Sequence, residues 1–206
     1  MHTCFLVGAA PTAAHITPQP GDFIIAADGG LHHLLAQGIA PDLVIGDMDS
    51  LQGELPAGIP CIKHPAEKDD TDLALAFWEG YHRGFRRFVL IGAGGGRFDH
   101  SVANLQLLVK AAKLGTQTVM HNEDGFVTAL AGPGKIAFNG SGTVSVFAYG
   151  EQSTGVTIMG MKYNITNETL LGDTPRGVSN EAMGQGHIAV QQGTLLIFYE
   201  AGIELC

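Results

Sequence analysis

Apolar residues in the first 130 positions form short continuous runs, each of which ends at a polar or glycine-rich turn. Such runs predict strands buried on both faces, here over 4–9, 23–27, 43–45, 59–63, 88–91 and 116–121. Between strands the apolar spacing becomes helical, as it does from Thr71 to Arg83 and from Val102 to Ala112, with Gly38, Gly84 and Gly115 as helix stops. This alternation predicts an α/β domain with a mostly parallel, Rossmann-like sheet.

The pattern changes after about Ala131, where Gly132-Pro133-Gly134 interrupts the chain. Helical periodicity disappears, and short runs rich in Val, Thr, Ile, Phe and Tyr alternate with Gly, Asn and Ser, over 135–138, 143–148, 156–158, 187–191 and 194–199. This composition is typical of an all-β sandwich or barrel. We therefore predict an α/β domain over 1–130 and a β-sandwich domain over 131–206.

Charged residues follow four of the predicted strands directly. They are Asp28, the pair Asp47 and Asp49, the acidic stretch Glu67 to Asp72, and Arg97 with Asp99. In open α/β sheets ligands bind in the crevice outside the carboxyl ends of the strands. We therefore expect these four loops to converge on one site.

The acidic stretch Glu67-Lys68-Asp69-Asp70-Thr71-Asp72 places four carboxylates and a lysine within six residues of a chain that is only 15% charged. Magnesium prefers carboxylate, water and phosphate oxygens, so the stretch suits a metal beside a phosphate-bearing substrate. The alternative is that Asp69 or Asp70 caps a helix whose first turn carries Asp72. The same choice, between metal ligation and a self-stabilised turn, applies to Asp47 and Asp49.

The glycine-rich stretch from Gly92 to Gly96 ends in Arg97. It lacks the glycine spacing of the dinucleotide fingerprint, and the P-loop pattern is absent because Ile follows Gly134-Lys135. Its backbone N–H groups can still approach an anion, and Arg97 can contact a phosphate through two N–H groups. The alternative is a flexible connection with an exposed arginine, followed by a helix that His100 caps.

Composition narrows the range of partners and compartments. The net charge of −9 argues against a nucleic acid or an anionic membrane as the main partner. The sequence shows neither an apolar run of the roughly 20 residues that span a bilayer nor a secretory leader, which favours the cytoplasm. Cys4, Cys61 and Cys206 form no disulfide or zinc pattern, and we expect the first two to be buried thiols.

Taken together, five motifs resemble those of the thiamine pyrophosphokinase (thiamine diphosphokinase) family, in order and in spacing. They are Ala27-Asp28-Gly29-Gly30, Gly46-Asp47-Met48-Asp49-Ser50, Lys68-Asp69-Asp70-Thr71-Asp72, Gly95-Gly96-Arg97-Phe98-Asp99-His100 and Ser179-Asn180-Glu181. The resemblance implies a homodimer with an ATP-binding α/β domain and a C-terminal β-sandwich that binds thiamine and dimerises. It also implies magnesium-dependent transfer of pyrophosphate from ATP to the hydroxyethyl group of thiamine, with AMP as the other product.

The resemblance also implies roles for individual residues. The metal positions would be Asp47, Asp49, Glu67, Asp69, Asp72 and Asp99. The catalytic positions would be Asp69, Asp72, Arg97 and Asp99, with Asp69 or Asp72 as the base that takes the hydroxyl proton. ATP would contact Asp28, Lys68, Asp70, Thr71, Gly95, Gly96, Arg97 and His100. Ser179 and Asn180 would hold the thiamine pyrimidine across the dimer interface, where the C-terminal part has no tryptophan to stack on it.

Other functions remain compatible with the same residues. A diphosphokinase of the same fold that acts on another hydroxymethyl heterocycle, such as a pterin, would need the same ATP motifs. A metal-dependent phosphohydrolase would release phosphate from a nucleotide without a second substrate. A nucleotide- or thiamine-binding sensor would keep the fold, but binding alone does not require so many converging carboxylates.

Overall fold

The computed structural model describes residues 1–47, 58–65, 67 and 69–206. The chain forms two compact units. The first comprises residues 1–107 with 116–123, and the second comprises residues 108–115 with 124–206. The functional roles predicted for domains 1–130 and 131–206 stay predictions.

The first unit is built on six parallel strands in the order β6-β5-β1-β2-β3-β4. The strands are β1 (Thr3–Val7), β2 (Phe23–Ala27), β3 (Leu43–Gly46), β4 (Cys61–Lys63), β5 (Arg87–Ile91) and β6 (Gln117–Asn122). The helices of the chain are α1 (Gly30–Ala36), α2 (Asp72–His82) and α3 (Phe98–Lys113). All six strands fall where the continuous apolar runs predict them.

The core of the first unit forms because its strands carry apolar residues on both faces. Its buried members around α1 are Val7, Ile16, Ile24, Ala26, Leu31, Leu34, Val44 and Ile91. Helix α1 ends as predicted, since Gly38 adopts a φ of +70° that favours glycine. Gly30 opens the helix beside the end of β1, where a Cβ would lie 1.9 Å from the carbonyl oxygen of Val7.

Helix α2 begins at Thr71, whose Oγ1 accepts a hydrogen bond of 3.2 Å from the N–H of Ala74. The capping role considered for Asp69 or Asp70 is therefore wrong, because the threonine that follows them takes it. The helix buries Phe77 against Phe88 of β5, with ring centroids 4.7 Å apart. It ends before Gly84, whose φ of +96° confirms the predicted stop.

Helix α3 buries part of the face that its apolar spacing predicts, including Leu108 and Val109, but its first turns differ from the prediction. Val102, placed on that face by the sequence, is 39% exposed. The polar Asn104 is buried instead, together with Leu107, Leu108, Val109 and Ala111. A count of apolar residues misassigns the first turns of α3 because a polar side chain occupies a buried position there.

The second unit is built on antiparallel strand pairs. Its strands are β7 (Gly125–Ala131), β8 (Gly134–Met161), β9 (Ile165–Leu171), β10 (Asn180–Val190), β11 (Gln192–Tyr199) and β12 (Ile203–Leu205). Strand β8 pairs with β9, β10, β11 and β12. The predicted runs 135–138, 143–148 and 156–158 are parts of this one strand, which glycines at positive φ, such as Gly140 and Gly150, break into apparent segments.

Taken over the whole chain, the strand pairs are of mixed direction, the helices are few and the C-terminal part is rich in β-structure. No helix in the described part of the chain combines the length and the apolar composition that crossing a membrane requires. Cys4 is buried as expected, and burial raises its pKa to about 12. Cys61 is exposed on the three-residue strand β4, so the expectation of a buried thiol there is wrong.

Candidate active site

A pocket of about 640 Å³ lies at the carboxyl ends of the parallel strands of the first unit. It is lined by residues that follow β1, β2, β3 and β5 and by the first turns of α2 and α3. This is the edge of an open parallel sheet at which ligands bind. The pocket is therefore the candidate active site of this unit.

Four carboxylates line the pocket, and they come from three different loops. They are Asp28, Asp47, Asp70 and Asp72. Asp28 and Asp47 follow adjacent strands, and Asp72 opens α2 in a half-buried position. Several acidic side chains around one cavity create a negative potential, which attracts cations and cationic ligands.

Asp28 has the most unusual environment of these four residues. Its backbone adopts a φ of +48°, and its N–H donates to the carbonyl oxygen of Ile45 at 2.8 Å. Its side chain packs against Gly46. A Cβ built on Gly46 would lie 3.2 Å from the Cβ of Asp28. Its Oδ1 is buried and has no hydrogen-bond partner among the described residues. A buried carboxylate oxygen without a partner is costly, so a ligand that supplies a positive charge or a donor would stabilise it.

Glycines allow the loops after β1 and β5 to touch beside the pocket. The N–H of Gly8 donates to the carbonyl oxygen of Ile91 at 2.8 Å, and that of Ala10 donates to the carbonyl oxygen of Gly92 at 3.0 Å. A Cβ on Gly8 would lie 2.5 Å from the carbonyl oxygen of Gly92. At this contact neither glycine carries a side chain, so a phosphate can approach the backbone there closely.

The glycine-rich turn between β5 and α3 supplies the other wall. Gly95, Gly96, Arg97 and His100 line the pocket. The two glycines adopt φ values of +78° and +65°. Arg97 forms a bidentate pair with Asp99, at 2.6 Å from Nη2 to Oδ2 and 3.2 Å from Nε to Oδ1. This hydrogen-bonded guanidinium holds the pKa of Asp99 below its ordinary value, and both side chains are exposed.

The remaining predicted residues of the first unit either do not line the pocket or fall outside the described part of the chain. Glu67, Asp69 and Asp99 are exposed and are not among the residues that line the pocket. Asp49 and Lys68 lie outside the described residues. Asp99 Oδ1 also accepts a hydrogen bond of 3.0 Å from the N–H of His100. One N–H group in the first turn of α3 is therefore bonded to the side chain of Asp99.

The donor set around the pocket fits magnesium that enters with a phosphate-bearing ligand. Within residues 1–47, 58–65, 67 and 69–206, no three Asp, Glu, His or Cys side chains are grouped closely enough to hold a metal ion. Magnesium does not need such a group, because it usually takes one or two carboxylates, substrate phosphate oxygens and water. The four lining carboxylates and the unpartnered Asp28 Oδ1 satisfy that requirement.

Asn104 is a pocket residue that the sequence analysis missed. It lines the pocket from α3, is only 7% exposed, and donates from Nδ2 to the carbonyl oxygen of Ala93 at 2.7 Å. Arg97, His100 and Asn104 are spaced by three and four residues, which places them on one helical face. This polar stripe within an otherwise apolar pattern is the signal that could have revealed Asn104.

Ser179 and Asn180 lie in the second unit, where β10 begins. The N–H of Ser179 donates to Ser145 Oγ at 3.0 Å. The Oδ1 of Asn180 accepts from the N–H groups of Tyr163 and Glu181, each at 3.0 Å, and its Nδ2 donates to the carbonyl oxygen of Tyr163 at 2.7 Å. The amide of Asn180 therefore fixes the backbone of Tyr163.

Asn180 and Tyr163 border a second pocket, of about 490 Å³, that also lies within this unit. Its lining combines aliphatic side chains with Asn164, Asn180 and two cationic side chains, Lys162 and Arg176. Each cation pairs with a carboxylate, Lys162 with Glu181 at 3.0 Å and Arg176 with Glu168 at 2.5 Å. Tyr163, which the sequence analysis did not single out, is 65% exposed and offers an aromatic face.

Comparison with known proteins gives consistent matches along the chain. The family described as "Thiamin pyrophosphokinase, catalytic domain" matches residues 18–120, and "Thiamin pyrophosphokinase, vitamin B1 binding domain" matches residues 136–195. A thiamine pyrophosphokinase of Bacillus subtilis is 27% identical over 182 residues, which cover 84% of this chain and 85% of that protein. The thiamin pyrophosphokinase 1 of Caenorhabditis elegans is 24% identical, over 95% of this chain and 87% of that protein.

Solved structures agree with the sequence matches. The crystal structure of thiamine pyrophosphokinase from Bacillus subtilis superposes with a TM-score of 0.88 at 25% identity, over 96% of this chain and 98% of that one. A thiamin pyrophosphokinase family protein from Enterococcus faecalis gives a TM-score of 0.81 at 25% identity, over 97% and 99% of the two chains. The two matched family domains cover most of the sequence, and the chain belongs to the thiamine pyrophosphokinase family, a family of diphosphotransferase enzymes.

Proposed function

We propose that this chain transfers pyrophosphate from ATP to the hydroxyethyl oxygen of thiamine in a magnesium-dependent reaction, with thiamine diphosphate and AMP as products. The observation that carries the proposal is the pocket of the first unit. There the glycine-rich turn and Arg97 lie in one cavity with Asp28, Asp47, Asp70 and Asp72. A phosphate chain accompanied by a divalent cation matches this combination of backbone N–H groups, guanidinium and carboxylates.

In this proposal the ATP phosphates lie against the glycine-rich turn. Gly95 and Gly96 offer backbone N–H groups, and Arg97 exchanges its exposed pair with Asp99 for phosphate oxygens. Exposed ion pairs are worth little, so this exchange costs the protein little. Asp28, Lys68, Asp70, Thr71 and His100 complete the proposed ATP-binding set. Thr71 contributes through the start of α2, because its hydroxyl already accepts from Ala74.

The metal ligands are proposed from the acidic residues around the same pocket. They are Asp47, Asp49, Glu67, Asp69, Asp72 and Asp99. Magnesium supplies neutralisation of the charge that develops on the phosphate oxygens. Asp47 and Asp72 line the pocket and are the first candidates, since ligands must face the phosphates.

The chemistry is a displacement at the β-phosphorus of ATP. The thiamine hydroxyl oxygen bonds to that phosphorus while the bond to the bridging oxygen of AMP breaks, and the hydroxyl proton passes to a carboxylate. Asp69 and Asp72 are the proposed bases. Asp72 is favoured because it lines the pocket in a half-buried position, whereas Asp69 is exposed outside the lining. Arg97 contributes fixed positive charge.

Thiamine recognition is proposed for Ser179 and Asn180 of the second unit. The hydrogen bonds of Asn180 use both acceptor positions of Oδ1 and one hydrogen of Nδ2, which leaves one Nδ2 hydrogen for a ligand. The exposed ring of Tyr163, which these bonds hold in place, is the proposed stacking surface for the pyrimidine. We further propose a cytoplasmic homodimer formed through the C-terminal domain, whose mass in solution light scattering would measure.

The decisive test is to incubate the protein with ATP, magnesium and thiamine and to resolve the products. AMP that appears in step with thiamine diphosphate would support both the transfer and the substrate. AMP formed with a hydroxymethyl pterin but not with thiamine would keep the transfer and overturn the substrate. ADP or free phosphate alone would overturn both.

A further inference from the structure

We propose that Asn104 is a positioning residue that holds the glycine-rich turn in a shape able to accept phosphate. The inference rests on the proposed function, in that the turn is taken to bind the phosphates of ATP. Asn104 lies on helix α3, and its side chain acts on the ligand site through the backbone of the turn. Two kinds of observation support it: where the carbonyl groups of the turn point, and what else holds the turn.

Three carbonyl groups of the turn, those of Gly92, Ala93 and Gly95, are engaged by partners on surrounding elements. The carbonyl oxygen of Gly92 accepts from the N–H of Ala10 at 3.0 Å. That of Ala93 accepts from Asn104 Nδ2 at 2.7 Å, and that of Gly95 accepts from the hydroxyl of Ser101 at a longer 3.4 Å. A carbonyl oxygen that turned into the pocket would repel a phosphate, so these contacts keep the negative ends of the peptide dipoles directed away from the ligand.

The N–H groups of the turn are left available by the same arrangement. In the described part of the chain, neither the Gly95 nor the Gly96 N–H donates a hydrogen bond to another protein group. Both residues lie at positive φ and carry no side chain that could anchor them. Glycine has the largest conformational freedom of any residue, so the turn depends on contacts from outside it.

Asn104 is the strongest of these contacts on the α3 side. Its bond to Ala93 is shorter than the Ser101 bond, and both groups are buried, Asn104 at 7% and Ala93 at 3% exposure. Loss of the amide would leave a buried carbonyl without a donor, and the peptide after Ala93 would rotate towards the open pocket to reach water. The N–H groups that follow it would then lose their common direction.

The test compares Asn104→Leu, which keeps the approximate volume but removes the donor, with the matched control Gln37→Leu. Gln37 makes the same kind of contact in the same unit, since its Nε2 donates to the carbonyl oxygen of Ala14 at 3.1 Å, and it does not line the pocket. Backbone order parameters of residues 94–97 are measured by ¹⁵N relaxation in the free chain. The KM values for ATP and thiamine are measured with magnesium present.

For Asn104→Leu we expect lower order parameters over residues 94–97 and a KM for ATP raised about tenfold, the factor that loss of one hydrogen bond brings. The KM for thiamine should not change. Gln37→Leu should leave all three quantities at the wild-type values. Unchanged order parameters and unchanged ATP KM in Asn104→Leu, or equal changes in Gln37→Leu, would overturn the inference.

The proposed function can fail separately from this inference. If the wild-type chain forms no AMP from ATP and thiamine, the proposed function is wrong, while the order parameters still decide whether Asn104 holds the turn. If Asn104→Leu does not fold, Asn104→Ala provides the same comparison without the larger apolar side chain. Wild-type order parameters over residues 94–97 in that variant would also overturn the inference.

Discussion

The two units treat their polar side chains in opposite ways. In the first unit Asp28 leaves a buried carboxylate oxygen without a partner among the described residues, beside a pocket lined by three other aspartates. In the second unit Asn180 is buried as well, but its side chain makes three hydrogen bonds to backbone groups. Ser153 is fully buried there and donates to the carbonyl oxygen of Thr194 at 3.0 Å.

This difference separates polar groups that await a ligand from polar groups that hold the fold. A buried polar atom without a partner lowers stability, and a protein tolerates it where function requires it. A fully bonded amide stabilises the backbone that it bridges. Removal of the Asp28 carboxylate should therefore affect mainly activity, and removal of the Asn180 amide should affect mainly stability.

The largest expected effect is on catalysis, from Asp72→Asn. Loss of a carboxylate that acts as base or metal ligand should lower the rate of AMP formation about 10²- to 10⁴-fold. The thermal transition should stay close to the wild-type value, since asparagine keeps the size and polarity of the side chain and the helix loses a favourable charge near its N-terminus. The matched control is Glu79→Gln on the same helix, which removes the bond to Arg83 and should leave the rate unchanged. A nearly normal rate in Asp72→Asn would remove this residue from the site.

The next largest expected effect is on stability, from Gly30→Ala, because Gly30 lies in close contact with the backbone of Val7. A Cβ at Gly30 would overlap the carbonyl oxygen of Val7, so the first unit should lose about 3 kcal/mol or more of unfolding free energy. Gly38→Ala is the control, because no atom lies within 4 Å of its Cβ position and only its φ of +70° opposes alanine. That variant should lose about 1–2 kcal/mol. Equal losses in denaturant unfolding would show that α1 moves freely away from β1.

A paired test compares Asn180→Leu with Asp28→Asn. Asn180→Leu removes three hydrogen bonds between a buried amide and backbone groups and should lower the unfolding free energy by about 2–3 kcal/mol. Asp28→Asn keeps the positive φ that asparagine also tolerates and removes the unpartnered charge. It should change stability by less than about 0.5 kcal/mol, or raise it, while the rate of AMP formation falls. A larger loss of unfolding free energy in Asp28→Asn than in Asn180→Leu, measured by urea unfolding, would contradict this contrast between the two residues.

The smallest expected effects concern exposed ion pairs, of which each unit has one that suits a test. Asp99→Asn breaks the pair with Arg97, and Glu168→Gln breaks the pair with Arg176. Because these side chains are exposed, each change should lower the unfolding free energy by less than about 1 kcal/mol. Only Asp99→Asn should slow AMP formation. An equal loss of rate in Glu168→Gln would contradict a specific role of the Arg97–Asp99 pair in the reaction.

The sequence predicts the strands of the first unit well, most directly where β1, β2 and β3 are continuous apolar runs buried on both faces. Strand β3, Leu43–Gly46, is buried at every position and could be read directly. Helix ends were also predictable where the stop depends on one residue, as at Gly38 and Gly84. Local chemistry determines these features, so no knowledge of distant contacts was needed.

Features that depend on distant contacts were harder to predict. Strands β7 and β9 were not predicted. Strand β8 was divided into segments because the glycines within this long strand look like turns in a sequence. The roles of Asn104 and Asn180 depend on which backbone groups lie opposite them, at Ala93 and Tyr163. Convergence of Asp28, Asp47 and Asp72 was expected from strand order alone, since parallel strands present their carboxyl ends at one edge.

Strand β8 has a consequence for how the protein is made. It leaves the ribosome before β9, β10, β11 and β12, and it pairs with all four of them. During that interval its backbone donors and acceptors have no cognate strand, which is the condition under which an unpaired edge recruits other chains. The second unit is thus the part of the nascent polypeptide that should depend most on chaperones, and slower translation across β8 should lower the yield of native protein.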